Sequence, residues 1–314
     1  MLEVRRYDPS LKEEWDDFLK VAKNSHFMFN RDYMDYHSDR FTDFSLMLYY
    51  QSKLIALLPA NIVDDVLFSH QGLTFGGLVM HQQIKTKQVL DCFIIIINFF
   101  NNNNIKRFIY KCIPYIYSKL PSDEDRYALF INNFILTRRD ITTSIFLNSD
   151  LQLEYTDLRK RSIKKAMKSS LEVVEQFDFK GYWTLLTDVL SKTHNTKPVH
   201  SYQEIQQLRD RFPQNIKLFI AQDTNKTILA GAVLFISSPV IHTQYLASSM
   251  EGRDLGALDL VIDHILNNRI TSCSILDFGI SNENNGRYLN EGLIAQKEGF
   301  GGRGVIHDFY ELAL

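Results

Sequence analysis

Polar residues gather beside an apolar segment in the last forty residues of the chain. The segment 274–278 predicts a buried strand that contains Asp277, followed by a Gly- and Asn-rich corner, a helix over 287–297 and a closing strand. Because open α/β sheets hold ligands outside the carboxyl ends of their strands, we expect chemistry at this corner. Desolvation makes a buried carboxylate a stronger base, so Asp277 is a candidate proton acceptor; a structural role at the turn is the alternative.

A second candidate site is the segment VIHTQYLASSMEGRDLGALDLVIDHIL, which predicts a strand, a polar turn and a helix. Gly256 and Ala257 stand at the predicted helix start, where small residues let backbone N–H groups approach an anion closely. The helix dipole also favours negative charge there, and Arg253 adds a cation. The segment therefore predicts a phosphate-binding turn, with an ordinary surface turn as the alternative.

Two segments of the first half are rich in groups that could contact a ligand. FMFNRDYMDYHSDRF contains Tyr33, His37 and Arg40, which form either a solvated helix face or a polar wall beside a ligand. In GLTFGG, Gly76 and Gly77 are either turn residues or positions where the backbone approaches a bound molecule.

The order of predicted elements indicates how the chain must position these residues. At 314 residues, the chain is long enough for two domains of roughly 150 residues each. Strands and helices follow in one order up to residue 150, and a similar order recurs from residue 151. We therefore predict an α+β fold in which one unit is used twice, as domains 1–150 and 151–314.

Charge and length argue against several classes of protein. The net charge of −2 and the pI near 6.5 give no overall attraction to nucleic acid. The longest apolar run, 92–100, is about half of what a bilayer requires, and no apolar run follows the basic residues at the start. We expect a cytoplasmic protein without a membrane span that acts on small molecules; the sequence does not indicate its oligomeric state.

A basic segment, three cysteines and a pair of histidines could each have a chemical or a purely structural role. The segment 159–168 carries six cations in ten residues, which form either a solvated face or a contact for phosphates of CoA, a nucleotide or tRNA. The cysteines are far apart in apolar segments and are expected to be buried and inert. His194 and His200 flank a Pro-containing segment without a third ligand nearby, so no metal is expected.

The whole chain resembles the tandem GNAT acyltransferases, whose pyrophosphate-binding turn follows the pattern Gln/Arg-x-x-Gly-x-Gly/Ala. Arg253 and Gly256 match this pattern, and Leu258 occupies its final position. NEGLIAQKEGFGG resembles the end of Fem-type proteins, which ligate amino acids onto peptidoglycan precursors. RDYMDYHSDRF, SHQGLTFGGL, TKPVHS, HTQYLA, DFGISNENNGRYLNEGL and QKEGFGGRGV together are most similar to a branch that acylates nucleotide-linked amino sugars, such as a dTDP-linked 3-amino-3,6-dideoxyhexose.

This resemblance implies two tandem GNAT-like domains, each with a mixed, mostly antiparallel sheet flanked by helices, and acyl-CoA as co-substrate. In GNAT enzymes the pantetheine pairs with the strand before the phosphate turn, which here is VIHTQYLASS. The residues implied for CoA binding in the second domain are His242, Gln244, Tyr245, Ser248, Arg253, Gly256 and Ala257. The residues implied for acceptor recognition in the first domain are Tyr33, His37, Arg40, His70, Gly76 and Gly77.

The resemblance also implies roles at the final helix. Lys297 matches a lysine that Fem-type proteins place near the donor carbonyl. The tyrosine that usually protonates the departing thiolate in GNAT enzymes would fall at Ala295, so that role is vacant or moved to Tyr288 or Tyr245.

Acyl transfer to a sugar amine needs a group that accepts the amine proton, because the amine is largely protonated at neutral pH. Asp277, His200 and His242 are the candidates, with Asp277 first. We therefore expect direct acyl transfer from CoA to a dTDP-linked amino sugar for surface polysaccharide synthesis. A Fem-type ligase that uses aminoacyl-tRNA is the alternative, and a scaffold that only binds nucleotides or a partner is a third possibility.

Overall fold

The computed structural model describes residues 2–147, 152–268 and 270–314. The chain forms two compact units. Unit 1 comprises Met1–Ile141, Asn282–Tyr288 and Val305–Leu314, and unit 2 comprises Thr142–Ser281 and Leu289–Gly304. The sequence predicts two domains with a single boundary in the chain, between residues 150 and 151. In the structure, the chain leaves unit 1, forms unit 2 and later returns to unit 1. The reason is that the C-terminal strand, instead of closing unit 2, pairs with a strand of unit 1.

Unit 1 consists of two sheets and the helices that cover them. Its strands are β1 (Leu2–Arg6), β2 (Thr42–Asp43), β3 (Leu46–Tyr50), β4 (Lys53–Leu58), β5 (Asn61–Val63), β6 (Val66–Phe68), β7 (Val79–Met80) and β8 (Arg107–Lys111), and its helices are α1 (Lys12–Val21), α2 (Arg31–Met34), α3 (Thr86–Asn102) and α4 (Glu124–Ile131). One sheet has the strand order β1–β3–β4–β7. In the other, β8 pairs in parallel with β6 and antiparallel with the C-terminal strand.

The core of unit 1 forms around α3. Val89, Phe93, Ile96 and Phe100 recur at helical spacing and pack against apolar residues of the strands. The run of isoleucines and phenylalanines in this helix is thus explained by burial against a sheet. Cys92 belongs to the same core, as expected for a small apolar residue.

Unit 2 is built on one mixed sheet with the strand order β10–β11–β12–β13–β14–β9. Its strands are β9 (Ile135–Phe146, shared with unit 1), β10 (Glu172–Gln176), β11 (Ile216–Gln222), β12 (Ile228–Ser237), β13 (Val240–Ser248) and β14 (Ile275–Ile280). Its helices are α5 (Asp157–Lys168), α6 (Lys180–His194), α7 (Tyr202–Arg211), α8 (Met250–Leu255), α9 (Ala257–Asn267) and α10 (Glu291–Glu298). The short strands β15 (Asn282–Glu283) and β16 (Tyr288–Leu289) and the closing strand β17 (Arg303–Ala313) complete the chain.

Helix α9 packs on the sheet of unit 2 through one apolar stripe. Val261, Ile262 and Ile265 are buried in the same cluster as Phe219 and Leu234 of the neighbouring strands. Among the pairings described for unit 2, β13 with β14 is parallel and the others are antiparallel. The prediction of an α+β fold with mixed, mostly antiparallel sheets flanked by helices is therefore confirmed.

Candidate active site

Strands β13 and β14 diverge partway along their length. Their described pairing ends at His242 and Asp277, although β13 continues to Ser248 and β14 to Ile280. Beyond this point, the facing edges of the two strands carry backbone N–H and C=O groups that no longer pair across the gap. The gap therefore offers hydrogen-bonding partners to an extended ligand that carries amide groups.

A β-bulge in β13 determines which side chains share a face of the sheet. Phe235 of β12 lies opposite His242, and Val233 lies opposite Tyr245, so Gln244 is an extra residue in β13. Because Phe235 and Val233 are two residues apart, their partners His242 and Tyr245 point to the same face. We call this the His242 face; α6 covers it, with the Trp183 ring 5.1 Å from the Tyr245 ring.

A cavity of about 630 Å³ opens where the two strands diverge. Leu246 and Phe278 line it from the strands, and Val189 and Leu190 of α6 line it on the side of the His242 face. The other walls come from α5, α8, α9 and α10. Its volume and its mixture of apolar walls with a few polar groups are typical of small-molecule sites.

The predicted CoA-binding residues divide into two groups around this cavity. Ser248, Arg253 and Gly256 line it directly, together with Gly252. The residues His242, Gln244, Tyr245 and Ala257 belong to the same strand and helix but are not among the described residues that line it.

Asp277 has three described polar partners at the end of the paired stretch. Its Oδ1 accepts hydrogen bonds from the hydroxyls of Thr142 and, at 3.0 Å, of Ser144. Its Oδ2 lies 2.9 Å from Nδ1 of His242. Asp277 is only 2% exposed and His242 only 8% exposed. The carboxylate is therefore enclosed, and the imidazole lies against it.

Lys297 brings a buried amine to the wall of the same cavity. Its Nζ donates to the carbonyl oxygens of Gly279 at 2.8 Å and Ile280 at 2.7 Å. Burial lowers the pKa of Lys297 to about 8, although the Asp277 carboxylate acts in the opposite direction. Lys297 therefore anchors the polar corner after β14 and places beside the cavity an amine that loses its proton more readily than that of an ordinary lysine.

His200 and Tyr245 form a second polar pair on the His242 face. The Tyr245 hydroxyl lies 2.6 Å from Nδ1 of His200, and Trp183 Nε1 donates to the His200 carbonyl oxygen at 3.2 Å. Burial raises the pKa of Tyr245 to about 12. The role of protonating the leaving group was expected to be vacant or moved to Tyr288 or Tyr245; Tyr245 lies on β13, whereas Tyr288 is 56% exposed on β16.

The predicted phosphate turn contains a short helix and a left-handed glycine. Ser249 caps α8 by accepting a hydrogen bond from the backbone N–H of Gly252 at 2.9 Å. Gly256 then adopts φ +78°, and a Cβ at this position would lie 2.5 Å from the Ser162 carbonyl oxygen. Glycine is therefore required both by the backbone conformation and by the close approach of α5. Arg253 is exposed at this turn.

An ion pair that the sequence analysis missed lies in the cavity wall. Arg159 of α5 contacts both carboxylate oxygens of Asp259 at 2.7 Å. Asp259 is in the first turn of α9, where its charge also interacts favourably with the helix dipole. The pair joins α5 to α9, which explains why one cation of the basic helix points inward.

The residues predicted to bind the acceptor lie in unit 1. The rings of His37 and His70 stack with their centroids 5.3 Å apart, and both residues are buried. Tyr33 is also buried, whereas Arg40 is exposed and lies over the Tyr36 ring.

Glycine is required at Gly76 because the backbone packs closely there, and at Gly77 because the backbone is left-handed. A Cβ at Gly76 would lie 1.9 Å from the Ser69 carbonyl oxygen, and Gly77 has φ +85°. Nearby, Lys111 donates to the carbonyl oxygens of His70 and Leu73, a contact that no sequence motif indicated.

The described residues form neither a metal-binding cluster nor a membrane-spanning helix. Within the described residues, no group of three or more His, Cys, Asp or Glu side chains could hold a metal ion. The His194 side chain, part of the His pair weighed above, lies outside the described part of the chain. Among the helices that the structure describes, none is both long and apolar enough to cross a bilayer.

Comparison with known proteins identifies the fold. No protein-family model and no curated protein matches the sequence. The structure of FemX shares 10% identity at a TM-score of 0.70, covering 99% of this chain and 97% of that chain. The C-terminal domain (DUF2156) of a putative lysylphosphatidylglycerol synthetase from Agrobacterium fabrum shares 12% identity at 0.62, covering 97% and 92%.

A tandem GNAT protein from the clavulanic acid biosynthesis pathway shares 10% identity with this chain at a TM-score of 0.53. The match covers 100% of this chain and 98% of that chain. At such identities the likeness shows the fold alone. The chain therefore has a tandem GNAT-like fold, as the sequence predicted.

Proposed function

We propose that this protein is an N-acyltransferase that moves an acyl group from a CoA thioester to an amine. The observation that supports this most is the cavity at the divergence of β13 and β14: Lys297 lines it, and His242 contacts Asp277 at the point where the pairing of the two strands ends. Direct transfer needs a thioester carbon held within reach of a neutral amine and of polar groups that handle the protons. The three described cysteines are buried, so an acyl-cysteine intermediate is not part of the proposal.

The cavity fits an acyl-CoA in shape and chemistry. The pantetheine arm carries two amides, which the free edge of β13 beyond His242 could pair with, while Leu246 and Phe278 supply apolar contacts. At the other end, the first-turn N–H groups of α9 and the exposed cation of Arg253 suit the pyrophosphate. When bound, the CoA thioester supplies the activated acyl carbon.

The proposed acceptor is the amine of a nucleotide-linked sugar, specifically a dTDP-linked 3-amino-3,6-dideoxyhexose. This choice rests on the sequence resemblance described above, and it assigns acceptor recognition to unit 1. Arg40 is the exposed cation among the predicted acceptor residues and would contact a phosphate group of the nucleotide. The product would be an N-acylated sugar nucleotide used for a surface polysaccharide.

A Fem-type ligase that takes its acyl group from aminoacyl-tRNA is the second candidate. One observation favours it: Lys160, Arg161, Lys164, Lys165 and Lys168 are all exposed on α5. An exposed row of cations suits the phosphate backbone of a nucleic acid. The similarity of the fold to FemX is consistent with either candidate.

A substrate panel distinguishes the candidates. The full chain is incubated with acetyl-CoA or longer acyl-CoAs and a dTDP-linked 3-amino-3,6-dideoxyhexose, and separately with charged tRNA and a UDP-linked peptidoglycan precursor. We expect release of one CoA thiol per acylated sugar nucleotide, measured by thiol assay and mass spectrometry. Turnover with the tRNA pair alone would establish the second candidate, and no turnover with either pair would favour a binding scaffold.

A further inference from the structure

We infer that His242 is the catalytic residue that accepts the amine proton, and that Asp277 is the positioning residue that orients it. This inference rests on the proposed acyl transfer and changes the role expected from the sequence, in which Asp277 was the leading proton acceptor. It depends on the contacts that surround the carboxylate and on the position of the imidazole at the divergence of β13 and β14.

The contacts of Asp277 make it unsuitable as the direct base. Its Oδ1 is engaged by the hydroxyls of Thr142 and Ser144, and its Oδ2 faces His242 Nδ1 at 2.9 Å. The side chain is also enclosed, with 2% of the residue exposed. An amine would have to displace at least one of these donors to reach a carboxylate oxygen. Of the three described partners of Asp277, two are hydroxyls and only His242 has a side chain that can accept a proton at neutral pH.

The same contacts determine the tautomer of His242. An ionised carboxylate only accepts hydrogen bonds, so Nδ1 of His242 must carry the proton that is shared with Asp277. In the neutral ring, the basic lone pair is then on Nε2. A carboxylate that holds an imidazole in this tautomer, and stabilises the imidazolium that forms, is the arrangement by which histidine acts as a general base in hydrolases.

Gly279 lies beside the ring of His242. Gly279 has φ +72°, and a Cβ at this position would lie 3.2 Å from Cε1 of His242. The glycine therefore keeps a side chain away from the ring edge. The same Gly279 accepts a hydrogen bond from Lys297, which lines the cavity, so the imidazole and the cavity wall are connected through one residue. Tyr245 shares the His242 face through the bulge.

The proposed reaction forms one C–N bond and breaks one C–S bond. The neutral amine nitrogen attacks the thioester carbonyl carbon, and a C–N bond forms as the tetrahedral intermediate develops. Nε2 of His242 takes the proton that the nitrogen loses, and the imidazolium is stabilised by Asp277. The C–S bond then breaks, the amide is released, and the CoA thiolate takes up one proton as the imidazolium gives one up, so that the proton lost by the amine is balanced by the proton on the CoA thiol. No oxidant, reductant or additional reactant is needed.

The first test replaces the imidazole. His242→Gln is compared with wild type and with His81→Gln, a matched change at a partly exposed histidine of unit 1. We expect His242→Gln to lower kcat by about 100-fold or more, as loss of a general base does, while calorimetry shows unchanged affinity for acetyl-CoA. His81→Gln should retain wild-type kcat. An unchanged kcat in His242→Gln would overturn the inference.

The second test separates positioning from mere structural support. Asp277→Asn keeps the size of the side chain but removes its charge, so the imidazolium loses a stabilising partner. We expect a lower kcat and a shift of the acidic limb of the pH–rate profile to lower pH. A profile with the wild-type acidic limb would contradict the role of Asp277. Ser144→Ala, which removes one donor to the carboxylate, should retain that limb and lower kcat less.

These experiments distinguish failure of the proposed acyl transfer from failure of the role assigned to His242. If the wild-type protein acylates no amine with any acyl-CoA, the proposed function fails and the role of His242 fails with it. If wild type is active and His242→Gln is equally active with normal CoA affinity, the proposed function stands and only this inference fails.

Discussion

The Tyr245 hydroxyl lies 2.6 Å from Nδ1 of His200, on the face of β13 that also carries His242. Burial raises the pKa of Tyr245 to about 12, so the phenol keeps its proton at neutral pH. A group that departs as a thiolate needs such a proton donor. Its place on β13, the strand expected to pair with the pantetheine, makes Tyr245 the stronger of the two tyrosine candidates for that role, because Tyr288 is exposed on β16.

Replacing the phenol tests this assignment. Tyr245→Phe should lower kcat and kcat/KM by a similar factor, on the order of 100-fold, because the donor acts only as the leaving group departs. Steady-state kinetics with acetyl-CoA gives both quantities. Tyr288→Phe, at an exposed position, should leave them unchanged. Equal losses in the two variants, or a loss confined to Tyr288→Phe, would count against Tyr245.

Arg253 is predicted to contact the phosphates of CoA at the turn before α9. Arg253→Ala should weaken acetyl-CoA binding by about 1 kcal/mol, or about fivefold, because exposed ionic contacts contribute modestly. Isothermal titration calorimetry measures this affinity directly. Arg211→Ala removes a comparable exposed cation from α7 and should have no effect. Equal affinities for wild type and Arg253→Ala would remove this residue from the site.

Gly256 is predicted to be essential for the turn. Gly256→Ala places a Cβ within 2.5 Å of the Ser162 carbonyl oxygen on a residue with φ +78°. The free energy of unfolding should fall by about 1 to 3 kcal/mol, as measured by urea denaturation. Gly292→Ala is the matched control, because the nearest atom to its Cβ would be 3.8 Å away. A Gly256→Ala protein as stable as this control would show that the turn tolerates a side chain.

The lowered pKa of Lys297 predicts that the free energy of unfolding increases as the pH rises above about 8. Its pKa is about 8 in the folded protein against an ordinary value of 10.5, so between these values the unfolded chain binds more protons. The free energy of unfolding therefore gains a contribution as pH rises from about 8 to about 10.5, and burial of the ammonium opposes folding below that range.

Lys297→Met should lack this contribution. The difference in unfolding free energy between wild type and Lys297→Met should shift in favour of wild type as the pH rises from about 7 to about 10. Lys192→Met, at a side chain that is 74% exposed, controls for general effects of pH. A difference that does not vary with pH would show that Lys297 is not titrating in this range.

Local patterns predicted much of unit 2. The apolar run before Asp277 predicted β14, and the spacing of apolar residues after Gly256 predicted α9. These predictions succeeded because strand alternation and helix periodicity are properties of short segments. The polar turn between β13 and α9 could likewise be recognised from its glycines and Arg253.

Contacts between distant segments could not be predicted in the same way. Thr142 and Ser144 hold Asp277 across a pairing of β9 with β14 that no local pattern specifies. Residues two apart on a strand share a face, but this spacing does not specify the partner strand. The pairing of β17 with β8, which assigns the C-terminal strand to unit 1, was missed for the same reason.

A crystal structure of the protein with bound acetyl-CoA tests the central claim most directly. The account predicts that the pantetheine arm lies between β13 and β14 beyond His242 and Asp277, with the thioester next to the His242 face and the pyrophosphate at Arg253 and the start of α9. CoA bound elsewhere, or an unchanged cavity at saturating acetyl-CoA, would contradict the account.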